Sequence, residues 1–103
     1  MRILIVEDEE SIRNQLKWGL ADQYEVLTAA TADEARRALR DHQPRVVTLD
    51  ITLSRSGGEE GMALLDEIVD LYPLTRVIMV TGNDAGGLAA VYGVLLTVLS
   101  AAA

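Results

Sequence analysis

Cysteine is absent from this chain of 103 residues, which also contains one histidine and two prolines. Without cysteine there is no disulfide framework, no cysteine-based zinc site and no thiol nucleophile. The one histidine, His42, lies among polar residues where a predicted helix stops before Pro44, a position typical of a solvated helix end. A catalytic triad of serine, histidine and aspartate is therefore not supported.

Basic residues are fewer than acidic ones. The chain has nine lysines and arginines and 16 aspartates and glutamates, which gives a formal net charge of −7. This balance argues against direct binding of a nucleic-acid backbone, and it suits a basic partner or a cation, although it also serves solubility. The opening MRILIVEDEE turns acidic too early for a signal peptide. We therefore predict a cytoplasmic protein and one compact domain over residues 1–103.

Charge of either sign is missing from the last 19 residues, Ala85–Ala103. An uncharged run of this length is formally a candidate membrane span. Its glycines, its serine and threonine and the lack of flanking cations argue against a span, so we predict a buried final helix and strand. An incomplete or altered chain end is the alternative for this atypical segment.

Short apolar runs rich in β-branched residues alternate with segments of helical periodicity. Thr31 and Glu34 form a capping box at the start of one helix, and residues 61–71 form another before Pro73. The order βαβαβαβ predicts a doubly wound, three-layer α/β/α domain around a parallel sheet. The predicted strands are residues 3–6, 23–29, 45–50 and 76–80.

The helical segment after the first strand has an apolar stripe that includes Ile12, Leu16 and Leu20. The polar residues Arg13, Asn14 and Lys17 lie on its other face. Trp18 falls off the stripe, which predicts a partly exposed position or a place at an interface.

The strands of this sheet end on polar side chains. Glu7 and Asp8 follow the first strand, Asp50 ends the third and Thr81 follows the fourth. Functional groups of open parallel sheets lie just beyond the carboxyl ends of the strands, so these side chains are expected to converge. Carboxylates held together repel each other, and Mg²⁺ removes that repulsion. The pattern therefore predicts a magnesium site. The alternative for residues 7–10 is that these acids only begin a helix, because negative charge is favourable near a helix N-terminus.

The loop after the first strand argues against a nucleotide site and against a flavin-phosphate site. A nucleotide or flavin-phosphate site needs a loop rich in glycine or hydroxyl groups that opens a helix. This loop is acidic instead, and it repels a phosphate unless a metal intervenes. The remaining candidate reaction is phosphoryl transfer that uses a metal ion and an aspartate nucleophile.

The segments ILIVEDEE, VVTLDITL and VIMVTGND, in this order and spacing, resemble the receiver (CheY-like) domain of two-component response regulators over about residues 1–84. The resemblance implies a flavodoxin-like fold with a five-stranded parallel sheet in the order 2-1-3-4-5. It implies that Asp50 is the phosphoacceptor and that Asp8 binds Mg²⁺ directly. Glu7 would act through water or from the second layer of ligands, the backbone carbonyl of Thr52 would be a further ligand, and Thr81 would contact the phosphoryl group.

A receiver takes its phosphoryl group from a histidine kinase and switches a downstream, usually transcriptional output, rather than turning over a substrate. The strings QLKWGL, VVTLDITL and VTGND are also similar to receivers linked to bacterial exopolysaccharide and exosortase systems. In those regulators a sigma-54-type ATPase and a DNA-binding helix-turn-helix follow. From the net charge and the composition we predict that this domain itself binds neither nucleic acid nor a membrane. The apolar Ala85–Ala103 segment suggests a homodimer.

The chain departs from the family pattern at several positions. Ser54 stands where receivers usually have proline, and the loop before Gly61 is longer than usual. The lysine expected at the end of the fifth strand would fall near Ala103 and the aromatic switch residue near Ser100, and both are missing. We therefore expect weak signalling.

Two other functions stay open from the residues alone. One is an aspartate phosphatase of the haloacid dehalogenase type, although Thr52 stands where that family needs a second acid. The other is a receiver-like interaction module that is not phosphorylated, which the missing lysine would favour.

Overall fold

The computed structural model describes residues 1–50, residues 59–80 and the backbone of residues 97–100. Each strand predicted before residue 81 is present in it, with ends that differ from the prediction by two residues at most. The elements in chain order are β1 (Arg2–Val6), α1 (Glu10–Leu20), β2 (Glu25–Ala29), α2 (Ala32–His42), β3 (Val46–Asp50), α3 (Glu59–Leu71), β4 (Arg76–Val80) and β5 (Thr97–Ser100).

The sheet has the predicted strand order, β2-β1-β3-β4-β5. Its first four strands are parallel, which confirms the doubly wound α/β architecture. In the register of these strands, Val6 pairs with Leu49 and Asp50 pairs with Val80. The carboxyl ends of β1, β3 and β4 therefore lie side by side at one edge of the sheet.

The fifth strand corrects the prediction that the whole sheet is parallel. β5 pairs antiparallel with β4, with Met79 opposite Thr97 and Arg76 opposite Ser100. Residues 81–96 connect the two strands, and a parallel crossover needs about a dozen residues, so the length of this connection permits either direction. The apolar pattern of a strand does not encode its direction, which explains the error. The helix predicted before β5 falls outside the described residues.

One face of the sheet carries the main hydrophobic core. Alternate residues of β1, β3 and β4 point to this face, as the two-residue period of a strand requires. Helices α2 and α3 cover it and contribute Ala35, Leu39, Leu64 and Ile68. The buried strand residues of this core are Leu4, Val6, Val47, Leu49, Val77 and Met79.

Helix α1 lies against β1 and β2 without burying any residue fully. Its predicted apolar stripe, which includes Leu16 and Leu20, is half-buried, and Trp18 is 76% exposed, as its place off the stripe predicted. Arg13 was expected on the solvent side of this helix, but it is half-buried. Among the described residues, no helix combines the length and the apolar character needed to cross a bilayer.

The predicted cap of α2 is present, with the bond to the Glu34 side chain displaced by one residue from a standard capping box. The Thr31 side chain accepts a hydrogen bond from the Glu34 amide at 3.1 Å. The Glu34 carboxylate in turn accepts one from the Ala30 amide at 3.1 Å, one residue before the N-cap. The helix ends at His42, and the left-handed backbone of the C-cap residue Gln43 (φ 46°) turns the chain into buried Pro44. These local bonds set where β2 ends and α2 begins.

We expect Thr31→Ala to lower the free energy of unfolding by about 1 kcal/mol, because the Glu34 amide loses its acceptor. Thr31→Ser keeps a hydroxyl at this position and should stay close to the parent. Urea unfolding followed by circular dichroism measures both variants. Equal stability of the alanine and serine variants would show that the cap bond does not stabilise the fold.

Candidate functional site

Three carboxylates meet at the edge where β1 and β3 end. Glu7 and Asp8 follow β1, and Asp50 is the last residue of β3. One carboxylate oxygen from each lies within 4.8 Å of the others. The convergence of these acids, predicted from the strand ends, is therefore present in the structure. Thr52 and Thr81 lie outside the described residues.

Glu7 is held by hydrogen bonds at all three of its polar groups. Its amide donates to the Ala29 carbonyl on β2 at 3.0 Å, which extends the β1–β2 pairing by one residue. Its carboxylate accepts from the Glu9 amide at 3.0 Å, and its carbonyl accepts from Arg13 Nη1 at 3.0 Å. As a result the Glu7 side chain is fixed in a buried position, with the residue 4% exposed.

Asp50 is 5% exposed and takes its position from the sheet itself. As the final residue of β3 it lies between β1 and β4, opposite Val80 in the register. Asp8 lies in the bend after β1 and is more accessible than the other two acids. The site therefore has two buried carboxylates and one at its open side.

Burial, together with the charge of Asp50 and hydrogen bonds to Asp50 and Asp8, raises the pKa of Glu7 to about 8. The hydrogen bond from the Glu9 amide opposes this shift. Glu7 therefore holds a proton at neutral pH when no cation is bound. An oxygen-only set of three close carboxylates is the kind of site that a hard divalent cation such as Mg²⁺ prefers, and the cation would take the place of this proton.

The direction of β5 decides where its residues lie relative to this site. Ser100 pairs with Arg76 at the amino end of β4, whereas the acids lie at the carboxyl ends of the strands. β5 therefore carries Ser100, near which the family pattern expects its aromatic residue, away from Asp50. Ala103, near which the pattern expects the lysine, lies outside the described residues.

The contact of Arg13 with the site was missed by the sequence analysis. Helical periodicity placed Arg13 with Asn14 and Lys17 on the solvent side of α1, because periodicity describes only how a helix faces the sheet. Arg13 instead reaches back along the helix axis to the loop before α1. A long cationic side chain in the first turns of a helix that follows an acidic loop was the available signal.

The response regulator receiver domain family matches residues 3–92. The chain belongs to this family. An NtrX-like response regulator of Rickettsia conorii is 39% identical over 83 residues, which are 79% of this chain and 17% of the relative. A protein-glutamate methylesterase/protein-glutamine glutaminase of Nitrosospira multiformis is 34% identical over 86 residues, which are 81% of this chain and 23% of that protein.

Solved structures of NtrX from Brucella abortus are similar to this receiver. Its receiver domain has a TM-score of 0.72 at 44% identity, with 79% of this chain and 68% of that chain covered. NtrX in complex with ATP has a TM-score of 0.73 at 42% identity, with 82% of this chain and 19% of that chain covered. The chain thus corresponds to a minor part of the longer regulators that it matches, and it is a response-regulator receiver domain.

The raised pKa of Glu7 makes the stability of the metal-free receiver depend on pH. Between about pH 4.5 and pH 8 the folded chain holds a proton on Glu7 that the unfolded chain lacks. This contribution to stability is complete below the unfolded pKa and is lost as the pH rises through the folded one. The free energy of unfolding should fall with pH in this window, by up to about 1.4 kcal/mol per pH unit.

Urea unfolding in the presence of a chelator, at several pH values from 6 to 9, measures the slope that Glu7 contributes. We expect Glu7→Gln to remove most of it, because glutamine does not titrate. Glu10→Gln changes an exposed acid nearby and should keep the slope of the parent. A parent whose stability is flat over this range would contradict the proton on Glu7.

Mg²⁺ should raise the melting temperature of the receiver, because the three acids meet only in the folded chain. Asp8→Ala should abolish most of this rise, since it removes the carboxylate on the open side of the site. Asp22→Ala removes an equal charge from an exposed turn at the amino ends of the strands and should respond like the parent. An Asp8→Ala protein that responds to Mg²⁺ as the parent does would place the site elsewhere.

Proposed function

We propose that this receiver accepts a phosphoryl group on Asp50 from a phosphohistidine of a histidine kinase and switches an attached output. The observation that carries the proposal is the position of Asp50. It is a buried carboxylate at the end of β3, with oxygen atoms of Glu7 and Asp8 within 4.8 Å. This placement supports a nucleophile beside a cation site.

In the proposed reaction, a carboxylate oxygen of Asp50 attacks phosphorus, an O–P bond forms and the P–N bond to the histidine breaks. When bound, Mg²⁺ would neutralise charge on the transferring phosphoryl oxygens. Asp8 and Asp50 would hold the ion directly with the backbone carbonyl of Thr52, and Glu7 would act through water. The Thr81 hydroxyl would contact the phosphoryl group. The roles of Thr52 and Thr81 come from the family resemblance.

We assign residues 1–103 to a single receiver domain of a longer cytoplasmic regulator. NtrX of Brucella abortus has been crystallised with ATP, and the region similar to this chain covers 19% of it. This supports an output part that binds a nucleotide, and the family resemblance adds a sigma-54-type ATPase and a DNA-binding domain to the proposal. The receiver itself carries a net charge of −7, which does not favour contact with nucleic acid. A link to exopolysaccharide and exosortase systems stays a prediction.

We further propose that the receiver is a phosphoacceptor that does not turn over a substrate, and that its switch is weak. The methylesterase of Nitrosospira multiformis is similar to this chain over 23% of its length, so the comparison does not extend to most of that protein. The missing lysine and aromatic residue, together with the antiparallel β5, argue for weak coupling. Self-association through the apolar residues after Asn83 is part of the same proposal.

Acetyl phosphate or a phosphorylated kinase, with Mg²⁺, should transfer one phosphoryl group per chain, and Asp50→Asn should abolish the transfer. Asp41→Asn, at an exposed acid of α2, is the matched control and should be phosphorylated like the parent. Intact mass spectrometry measures the added group. Transfer that persists unchanged in Asp50→Asn would overturn the assignment of the phosphoacceptor.

Two other results would redirect the proposal. Steady multiple turnover of a small phosphate ester would indicate the aspartate-phosphatase alternative. A parent that binds neither Mg²⁺ nor beryllofluoride at millimolar concentration would indicate an interaction module that is not phosphorylated.

A further inference from the structure

Helix α1 brings the guanidinium group of Arg13 to the backbone of the acidic site. The Arg13 Nη1 atom donates a partly buried hydrogen bond to the Glu7 carbonyl at 3.0 Å. The backbone amide of Arg13 donates to the Glu9 carbonyl at 2.9 Å, in the first turn of α1. Arg13 is therefore bonded to the residues on both sides of Asp8.

The bond to the Glu7 carbonyl controls a peptide plane that Asp8 shares. The carbonyl of Glu7 and the amide of Asp8 belong to the same planar unit, so fixing the oxygen fixes the direction in which Asp8 leaves β1. Asp8 lies in a bend between β1 and α1, where neither a strand nor a helix sets its backbone. The Glu7 amide and carboxylate are already held by Ala29 and Glu9. The Arg13 bond thus holds the carbonyl end of the peptide plane that leads to Asp8.

We propose that Arg13 is a positioning residue for the cation site: through the Glu7 carbonyl it holds Asp8 in the direction that faces Asp50. The inference rests on the proposed function only in taking the three carboxylates as a Mg²⁺ site. Arg13 does not touch the ion or the phosphoryl group. It acts on the geometry of the ligands, as outer partners of metal ligands commonly do.

Because Arg13 is positively charged, the direction in which its removal changes Mg²⁺ affinity tests this inference. A guanidinium close to a cation site repels the cation, so removing its charge should tighten Mg²⁺ binding if electrostatics were its only effect. Removing a residue that positions a ligand should weaken binding instead. The direction of the change in affinity therefore separates the two roles.

Calorimetry should compare Mg²⁺ binding to the parent, Arg13→Met, Arg13→Lys and Lys17→Met at one ionic strength. A pH above the pKa of Glu7, which is about 8, removes competition with the proton. We expect Arg13→Met to weaken binding about tenfold, as loss of an outer partner of a metal ligand does. Arg13→Lys keeps a donor and should recover part of the affinity. Lys17→Met removes an equal charge from an exposed position of α1 and should bind as tightly as the parent or slightly more tightly.

Phosphorylation by acetyl phosphate supplies a second readout. Arg13→Met should need a higher Mg²⁺ concentration for half of its maximal rate, with a maximal rate close to that of the parent. Thermal melting without Mg²⁺ checks that Arg13→Met folds. If Arg13→Met does not fold, the comparison of Arg13→Lys with the parent decides, and we expect the lysine variant to bind Mg²⁺ more weakly. Binding by Arg13→Met that equals or exceeds the parent overturns the positioning role alone, whereas a parent that binds no Mg²⁺ overturns the metal site of the proposed function.

Discussion

The close approach of three carboxylates at the end of a parallel sheet is the constraint on which this structure depends. Buried acids are unfavourable when charged, and they become more so when they share one site. The fold accommodates Glu7 by giving its amide, carbonyl and carboxylate a partner each and by leaving a proton on it at neutral pH. Three close carboxylates could hold a divalent cation, which would replace the proton and favour all three charges at once.

The two sides of the sheet contribute to this site in different ways. The side under α2 and α3 is a dense hydrophobic core that fixes β1, β3 and β4 in register, and so fixes where Asp50 ends. Helix α1 buries no residue fully, yet its first turns supply the Glu9 amide and the Arg13 side chain that hold Glu7. The core thus positions Asp50, while α1 holds the loop that carries Glu7 and Asp8.

Because β5 is antiparallel to β4, the last described strand of the chain runs away from the acidic edge of the sheet. Met79 pairs with Thr97 near the carboxyl end of β4, and the strand then runs toward Arg76 at the opposite edge. Receivers that couple phosphorylation to a lysine and an aromatic residue on a parallel fifth strand have those groups beside the phosphoacceptor. At Ser100 this chain has neither the aromatic residue nor the parallel strand that such coupling uses.

The sequence by itself determined the elements and their order, because the information for them is local. Short apolar runs rich in β-branched residues predicted β1 to β4, the Thr31 capping box predicted the start of α2, and strand-terminal acids predicted the site. Three features were decided only by tertiary structure. The direction of β5 depends on the path of its connection, the contact of Arg13 depends on how α1 meets the loop before it, and the proton on Glu7 depends on burial beside Asp50. Each arises from groups brought together across the fold, which neither periodicity nor the spacing of a motif encodes.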